Sequence, residues 1–317
     1  MARVAAIDCG TNSIRLLVAD VTRHEDGTSD LRDVYRGMRV VRLGQGVDAT
    51  GRLADEAIER TRLALRDYGA MAVRKGVQQM RMVATSATRD AANREEFFSM
   101  VRDTLGVEAE VISGDEEARL SFIGAVGDLE PSDGPFVVTD VGGGSTEVVV
   151  GRWDGVRAEV DAAFSADIGC VRLTERCLHG DPVSEDEVRE AQKITRSVLD
   201  AAFDTVDVSG ARTWVGVAGT ITTLSAVAQD LPAYDPHSIH LSRMSDDRVS
   251  EVARNLTAMT HDERAAIGSM HPGRVDVICG GALVVEVLAG EMRERARITG
   301  LTISEHDILD GIALSIS

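Results

Sequence analysis

Short segments of this chain bring carboxylates, glycines and hydroxyls together at spacings that suit the binding of an anion such as phosphate. The sharpest is Asp140-Val141-Gly142-Gly143-Gly144-Ser145-Thr146-Glu147. Three successive glycines let backbone N–H groups approach an anion without Cβ obstruction, forming a phosphate nest. Ser145 and Thr146 add hydroxyl donors. Asp140 and Glu147 suit hydrated Mg2+, which takes a few carboxylates together with phosphate oxygens. Taken alone, the segment fits a glycine-rich β-hairpin with incidental acids equally well. Asp8-Cys9-Gly10-Thr11-Asn12-Ser13 offers the same groups more sparsely and by itself reads as a simple hairpin turn. Val217-Ala218-Gly219-Thr220 leads from a strand into a helix, whose N-terminus would aim N–H groups at an anion. Three such loops together weigh more than any one of them.

Alternating strands and helices must position these loops. Residues 4–7 and 14–21 read as strands around the Asp8 loop. Leu53, Ala57, Ile58, Leu65, Tyr68 and Met71 fall at helical spacing over 53–74, with Gly76 as a stop. Residues 80–85 and 107–112 read as strands, and 91–105 as a helix closed by Gly106. Ser113-Gly114-Asp115-Glu116 is a capping-box pattern opening a helix through 125. The stretch 127–135, rich in Pro, Gly and acids, reads as a linker. The pattern then restarts: strand 136–141, glycine turn, strand 146–151. Asp8 and Asp140 lie 132 residues apart, which predicts two related domains, 1–127 and 128–304. Ser184-Glu185-Asp186-Glu187 is a second capping box, opening a helix to about residue 203. A strand at 214–218 runs into a helix ending near 230; 246–259 and 275–292 read as helices, 298–303 as extended, and 305–317 as a final helix. The class is α/β.

A length of 317 residues suits two domains, and 44% apolar with 27% charged residues is a globular composition. Asp and Glu number 52 against 34 Lys and Arg, a formal charge of −18. Duplex nucleic acid and anionic membranes both need a local excess of basic residues, so neither is an expected partner. A small polyanion held by a few Arg, backbone N–H groups or a divalent cation remains compatible. Asp8 interrupts the N-terminus before a signal-peptide core forms, and 275–290 carries Asp276 and Glu286 and falls short of a membrane span. Cys9, Cys170, Cys177 and Cys279 show no zinc spacing, and His261, His271 and His306 make no metal site at theirs. Reduced thiols and a cytoplasmic location are expected.

The Asp8 and Asp140 loops, the Gly219-Thr220 turn and the two-domain length resemble the actin, sugar-kinase and Hsp70 ATPase superfamily. More narrowly, the segments 84–91 (ATSATRDA), 112–120 (ISGDEEARL), 140–147 (DVGGGSTE), 169–175 (GCVRLTE) and 304–312 (SEHDILDGI) resemble the exopolyphosphatase/guanosine pentaphosphate phosphohydrolase family. The resemblance runs from residue 4 to about 315. It implies two RNase H-like domains with a cleft between them, the final helix returning to the first. It also implies that Glu117 acts as general base on the attacking water, a role that the helix N-terminus suits by keeping a carboxylate ionised. By composition and spacing alone, Glu116 and Glu117 read as helix caps.

Arg89 resembles the family's phosphate clamp, and a guanidinium fork matches phosphate geometry. Arg15, Arg172 and Arg274 read as structural or solvated. The loops at Gly10, Thr11, Asn12 and Ser13, at Gly142, Gly143, Gly144, Ser145 and Thr146, and at Gly219 and Thr220 would then bind phosphate. Asp8, Asp140 and Glu147 would hold Mg2+ or Mn2+. Larger family members carry a further helical domain, so this chain resembles the short form, with short polyphosphate as the expected substrate and a homodimer as the expected assembly. The expected reaction is hydrolysis of the terminal phosphoanhydride of polyphosphate. Its alternatives are guanosine pentaphosphate hydrolysis, an ATP-dependent kinase or ATPase, and a non-catalytic polyphosphate or nucleotide sensor.

Overall fold

In the computed structural model, which describes residues 1–316, the apolar run 4–7 lies in the middle of a five-stranded sheet. The strands are β1 (Ala2–Cys9), β2 (Ser13–Arg23), β3 (Ser29–Val40), β4 (Gln79–Ala84) and β5 (Ala109–Val111), in the order β3-β2-β1-β4-β5. β1 pairs antiparallel with β2 and parallel with β4. Its side chains alternate between two cores, as a strand's period of two requires. Ala5, Ile7 and Cys9 join residues of α2 (Asp55–Lys75) and α4 (Arg94–Leu105), while Val4 and Ala6 join Leu120 and the C-terminal helix (Ile308–Ser315). Asp8 therefore shares its face with Val4 and Ala6. On β2, Arg15 shares its face with Leu17 and Ala19, which enter the same core.

The short helices α1 (Val47–Thr50) and α3 (Ser86–Asp90) and the longer α5 (Gly114–Val126) complete this unit, which comprises Met1–Gly127, Asp154–Ala158 and His306–Ser317. α5 and the C-terminal helix touch backbone to backbone. A Cβ at Gly124 would lie 1.8 Å from the Asp307 carbonyl oxygen, and one at Gly311 would lie 2.0 Å from that of Leu120.

The second unit, Asp128–Trp153 with Glu159–Glu305, holds β6 (Phe136–Val141), β7 (Thr146–Trp153), β8 (Ala158–Ala166), β9 (Thr213–Val217), β10 (Arg243–Ser245) and β11 (Gly300–Ile303). Their order is β10-β11-β9-β6-β7-β8. β6 pairs antiparallel with β7 and parallel with β9, as β1 does with β2 and β4. Helices α6 (Cys170–Cys177), α7 (Glu185–Thr205), α8 (Ala218–Ala228), α9 (Pro236–Ile239), α10 (Asp246–Ala258), α11 (His261–Ala265) and α12 (Ile278–Ala296) complete it. Both units are α/β.

The differences from expectation have local causes. β3 lies on the sheet edge and mixes charged residues with half-buried apolar ones, none of them fully buried, so no buried alternation announces it. The helix expected over 91–105 begins at Arg94, because Asn93 spends its side chain on Leu53, accepting from its N–H at 2.8 Å and donating to its carbonyl at 3.0 Å. Ser113 accepts from Glu116 N–H at 3.1 Å, but Glu116 turns to Arg81 at 2.7 Å, leaving half a capping box. The box at Ser184 is complete. The last helix starts at Ile308, not 305, with Asp307 as its N-cap. Among the described residues, no helix is long and apolar enough to cross a membrane.

Candidate active site

Asp140 and Glu147 are direct partners across the β6–β7 pair. Opposed residues of an antiparallel pair carry Cβ atoms roughly 4.5–5.5 Å apart, so the two carboxylates share one place at the end of the sheet. Both are buried, and Ser165 Oγ donates to Glu147 Oε1 at 2.7 Å. Between them the chain turns with Gly142 N–H donating to the Ser145 carbonyl at 3.1 Å. The Gly142 carbonyl accepts from Cys170 N–H at 2.9 Å, and the Gly143 carbonyl from Val171 and Arg172 N–H at 2.9 and 3.1 Å. These carbonyls satisfy the first turn of α6, which no side chain caps. In a trans peptide the N–H points opposite its C=O, so the N–H groups of Gly143 and Gly144 are directed away from α6. Glycine at 169 permits the approach, since a Cβ there would lie 2.6 Å from the Gly143 carbonyl carbon.

Thr146, expected to donate to phosphate, instead donates its buried hydroxyl to the Ile168 carbonyl at 2.7 Å and braces the loop. Ser145 is buried beside it. At the third loop, α8 begins at Ala218 in the left-handed region, φ 69°, with no side-chain cap. The Arg274 guanidinium donates to the Gly219 carbonyl at 2.6 Å and to Thr223 Oγ1 at 2.5 Å, occupying the space that a side chain at 219 would need. Thr220 is buried.

In the first unit Asp8 and Arg15 occupy the register that Asp140 and Glu147 occupy in the second. An acidic pair is thereby replaced by an ion pair. Arg15 Nε and Nη2 both donate to Asp8 Oδ2, at 3.0 and 2.7 Å, and Nη1 donates to Asp307 Oδ2. Burial pushes the Asp8 carboxyl up; Arg15 opposes it and Asp307 adds like-charge repulsion, with a net upward direction. Burial acts the same way on Asp307, but Arg15, the Leu309 N–H and Arg36 outweigh it and hold that carboxyl low.

The Asp8 loop turns like its counterpart, with Gly10 N–H donating to the Ser13 carbonyl at 3.0 Å. Thr11 Oγ1 lies 2.8 Å from Ser86 Oγ. Asn12 Oδ1 is buried and meets no donor among the described residues.

Of the three acids that open α5, Asp115 binds Arg119 and Glu116 binds Arg81 at the surface. Glu117 turns inward and is buried. Arg89 Nη1, from α3, donates to Glu117 Oε2 at 3.1 Å and to the Ile112 carbonyl at 3.2 Å. The expected base and the expected clamp are thus in contact. Arg15, expected from sequence to be structural or solvated, and Asp307 complete the cluster around Asp8. Arg15 had a readable signal, since it follows Asp8 by the same seven residues that separate Glu147 from Asp140. Asp307 had none.

The sequence profile of the Ppx/GppA phosphatase family matches residues 18–316. Over 322 aligned residues the chain is 58% identical to Exopolyphosphatase 2 of Mycobacterium tuberculosis, covering 100% of this chain and 99% of that protein. A crystal structure of an exopolyphosphatase-like protein superposes with a TM-score of 0.92 at 44% identity, covering 99% of this chain and 98% of the other. The Aquifex aeolicus member of the Ppx/GppA family gives a TM-score of 0.79 at 31% identity, covering 99% and 97%. The profile takes in the Asp140 loop, the Glu117 helix and the returning C-terminal segment, and the full-length relative adds the Asp8 loop: the chain belongs to the Ppx/GppA phosphatase family.

Proposed function

We propose that this protein is an exopolyphosphatase, hydrolysing the terminal phosphoanhydride of inorganic polyphosphate to release orthophosphate with the help of a divalent cation. The contact between Glu117 and Arg89 carries the reading, and full-length similarity to a protein named Exopolyphosphatase 2 supports it. Glu117 lies in the first turn of α5, where the helix dipole favours the carboxylate form. That form accepts a proton from the attacking water as it adds to the terminal phosphorus. The Arg89 guanidinium supplies a fork for the terminal phosphate while its bond to the Ile112 carbonyl holds it in place. In the second unit, the N–H groups of Gly143 and Gly144 are donors suited to phosphate oxygens.

Two donor sets fit hydrated Mg2+ or Mn2+. One is the Asp140/Glu147 pair. The other is Asp8 Oδ1, which no donor reaches among the described residues, since both Arg15 bonds fall on Oδ2. When bound, such a cation would neutralise charge on the phosphoryl oxygens.

The test is phosphate release with Mg2+ from short polyphosphate, long polyphosphate, guanosine pentaphosphate and ATP, with Glu117→Gln in parallel. Release from polyphosphate that collapses in the variant supports both reaction and base. Faster turnover of the pentaphosphate would transfer the assignment to the nucleotide, and binding without any release would reduce the protein to a sensor.

A further inference from the structure

The carboxylate of Asp307 lies beside the Asp8–Arg15 pair, although 292 positions separate it from Arg15. Its location is strongly determined. Its Oδ1 caps the C-terminal helix by accepting from Leu309 N–H at 3.0 Å, and its own N–H donates to Asp310 Oδ2 at 3.0 Å. Its carbonyl oxygen presses against Gly124 of α5, the helix that carries Glu117. Asp310 is in turn gripped by Arg36.

The consequence lies in how Arg15 meets Asp8. A guanidinium facing a carboxylate ordinarily places one N–H on each oxygen, a two-bond fork that consumes both. Here Nε and Nη2 converge on Oδ2 alone. Nη1 is anchored on Asp307, so the guanidinium is held displaced toward one side of Asp8, and Oδ1 is left without a donor. Three buried carboxylates, Asp8, Asp307 and Asp310, set against the guanidinium groups of Arg15 and Arg36 leave the cluster one negative charge in excess, which favours a cation nearby.

We propose that Asp307 is a positioning residue. By anchoring Arg15 it reserves Asp8 Oδ1 for a divalent cation and keeps the local charge negative. This rests on the cation-dependent reading above. Neutralising Asp307 would let Arg15 slide into the symmetric fork and would remove the excess charge, and both changes weaken cation binding.

The experiment titrates Mn2+ into the full-length protein without substrate, following free Mn2+ by electron paramagnetic resonance. Asp307→Asn keeps a side chain able to cap the helix. It is expected to weaken Mn2+ binding by roughly tenfold to a hundredfold, the range found when a group orienting a metal ligand is lost. Asp310→Asn disturbs the same helix start and removes a charge from Arg36 without touching Arg15, and is expected to weaken Mn2+ binding far less than Asp307→Asn. Equal weakening in both variants, or wild-type affinity in Asp307→Asn, overturns the proposal. Absence of Mn2+ binding in the unaltered protein removes the cation reading itself, and this inference falls with it.

Discussion

Arg89 and Glu117 form an ion pair, Nη1 to Oε2 at 3.1 Å, that joins a five-residue helix to the first turn of α5. A positive group beside the carboxylate favours its ionised form, the form that accepts a proton. Glu117→Gln is therefore expected to lower kcat by about 10²–10⁴, the usual worth of a positioned general base, with little change in KM. Arg89→Lys should raise KM, because an ammonium reproduces the charge but not the planar fork. Steady-state phosphate release from polyphosphate measures both, and an undiminished kcat in Glu117→Gln would remove that residue from the role.

The glycine loop of the second unit makes a steric prediction at Gly169. A Cβ there would lie 2.6 Å from both the carbonyl carbon and oxygen of Gly143. Backbone atoms cannot give way as a flexible side chain would. Gly169→Ala should cost about 1–3 kcal/mol of stability and raise KM for polyphosphate by displacing the loop. Thermal unfolding and initial-rate kinetics together test it.

Gly124 and Gly290 both sit inside helices and should respond to alanine in opposite directions. At Gly124 the added carbon would meet the Asp307 carbonyl at 1.8 Å, whereas at Gly290 nothing lies within 4 Å. Gly290→Ala is expected to stabilise by about 0.4–1 kcal/mol through a less flexible unfolded chain. Gly124→Ala should destabilise by about 1–3 kcal/mol or more and loosen the C-terminal helix. Urea denaturation of the two variants gives the comparison.

Glu187 makes a prediction about pH. Its carboxylate accepts from Ser184 N–H at 2.8 Å, Ser184 Oγ at 2.7 Å, and His179 and Gly180 N–H at 2.8 Å each. These donors, those of Ser184 foremost, lower its pKa from 4.5 to about 2. A carboxyl depressed on folding contributes stability that is complete above its unfolded value and is lost as pH falls through its folded value. The stability gap between the unaltered protein and Glu187→Gln should therefore be widest above pH 4.5 and close as pH approaches about 2. Urea midpoints across that range would show it, and a gap independent of pH would assign the effect to packing.

Much of the candidate site is legible in the sequence. The Asp140–Glu147 loop, the Asp8 loop, and Glu117 just inside a helix start all follow from residue type and spacing joined to a family resemblance. The third strand could not be read. Half of its residues are exposed and none is fully buried, and it is held by edge pairing to β2, so its apolar residues keep no strict alternation. The bond of the Thr146 hydroxyl is illegible in the sequence for a related reason. Whether a threonine beside a glycine loop meets a ligand or a carbonyl depends on where residue 168 comes to lie.

Sequence by itself determined many of the elements and the chemical character of the three loops, because strand alternation, helix spacing, caps and glycine turns depend on neighbours a few residues away. Tertiary structure alone decided which acid opening α5 turns inward, which oxygen of Asp8 Arg15 occupies, and that Asp307 from the far end of the chain completes that cluster. Charge partners and buried contacts depend on how the chain returns upon itself, and residues 292 positions apart carry no local signal that they will meet.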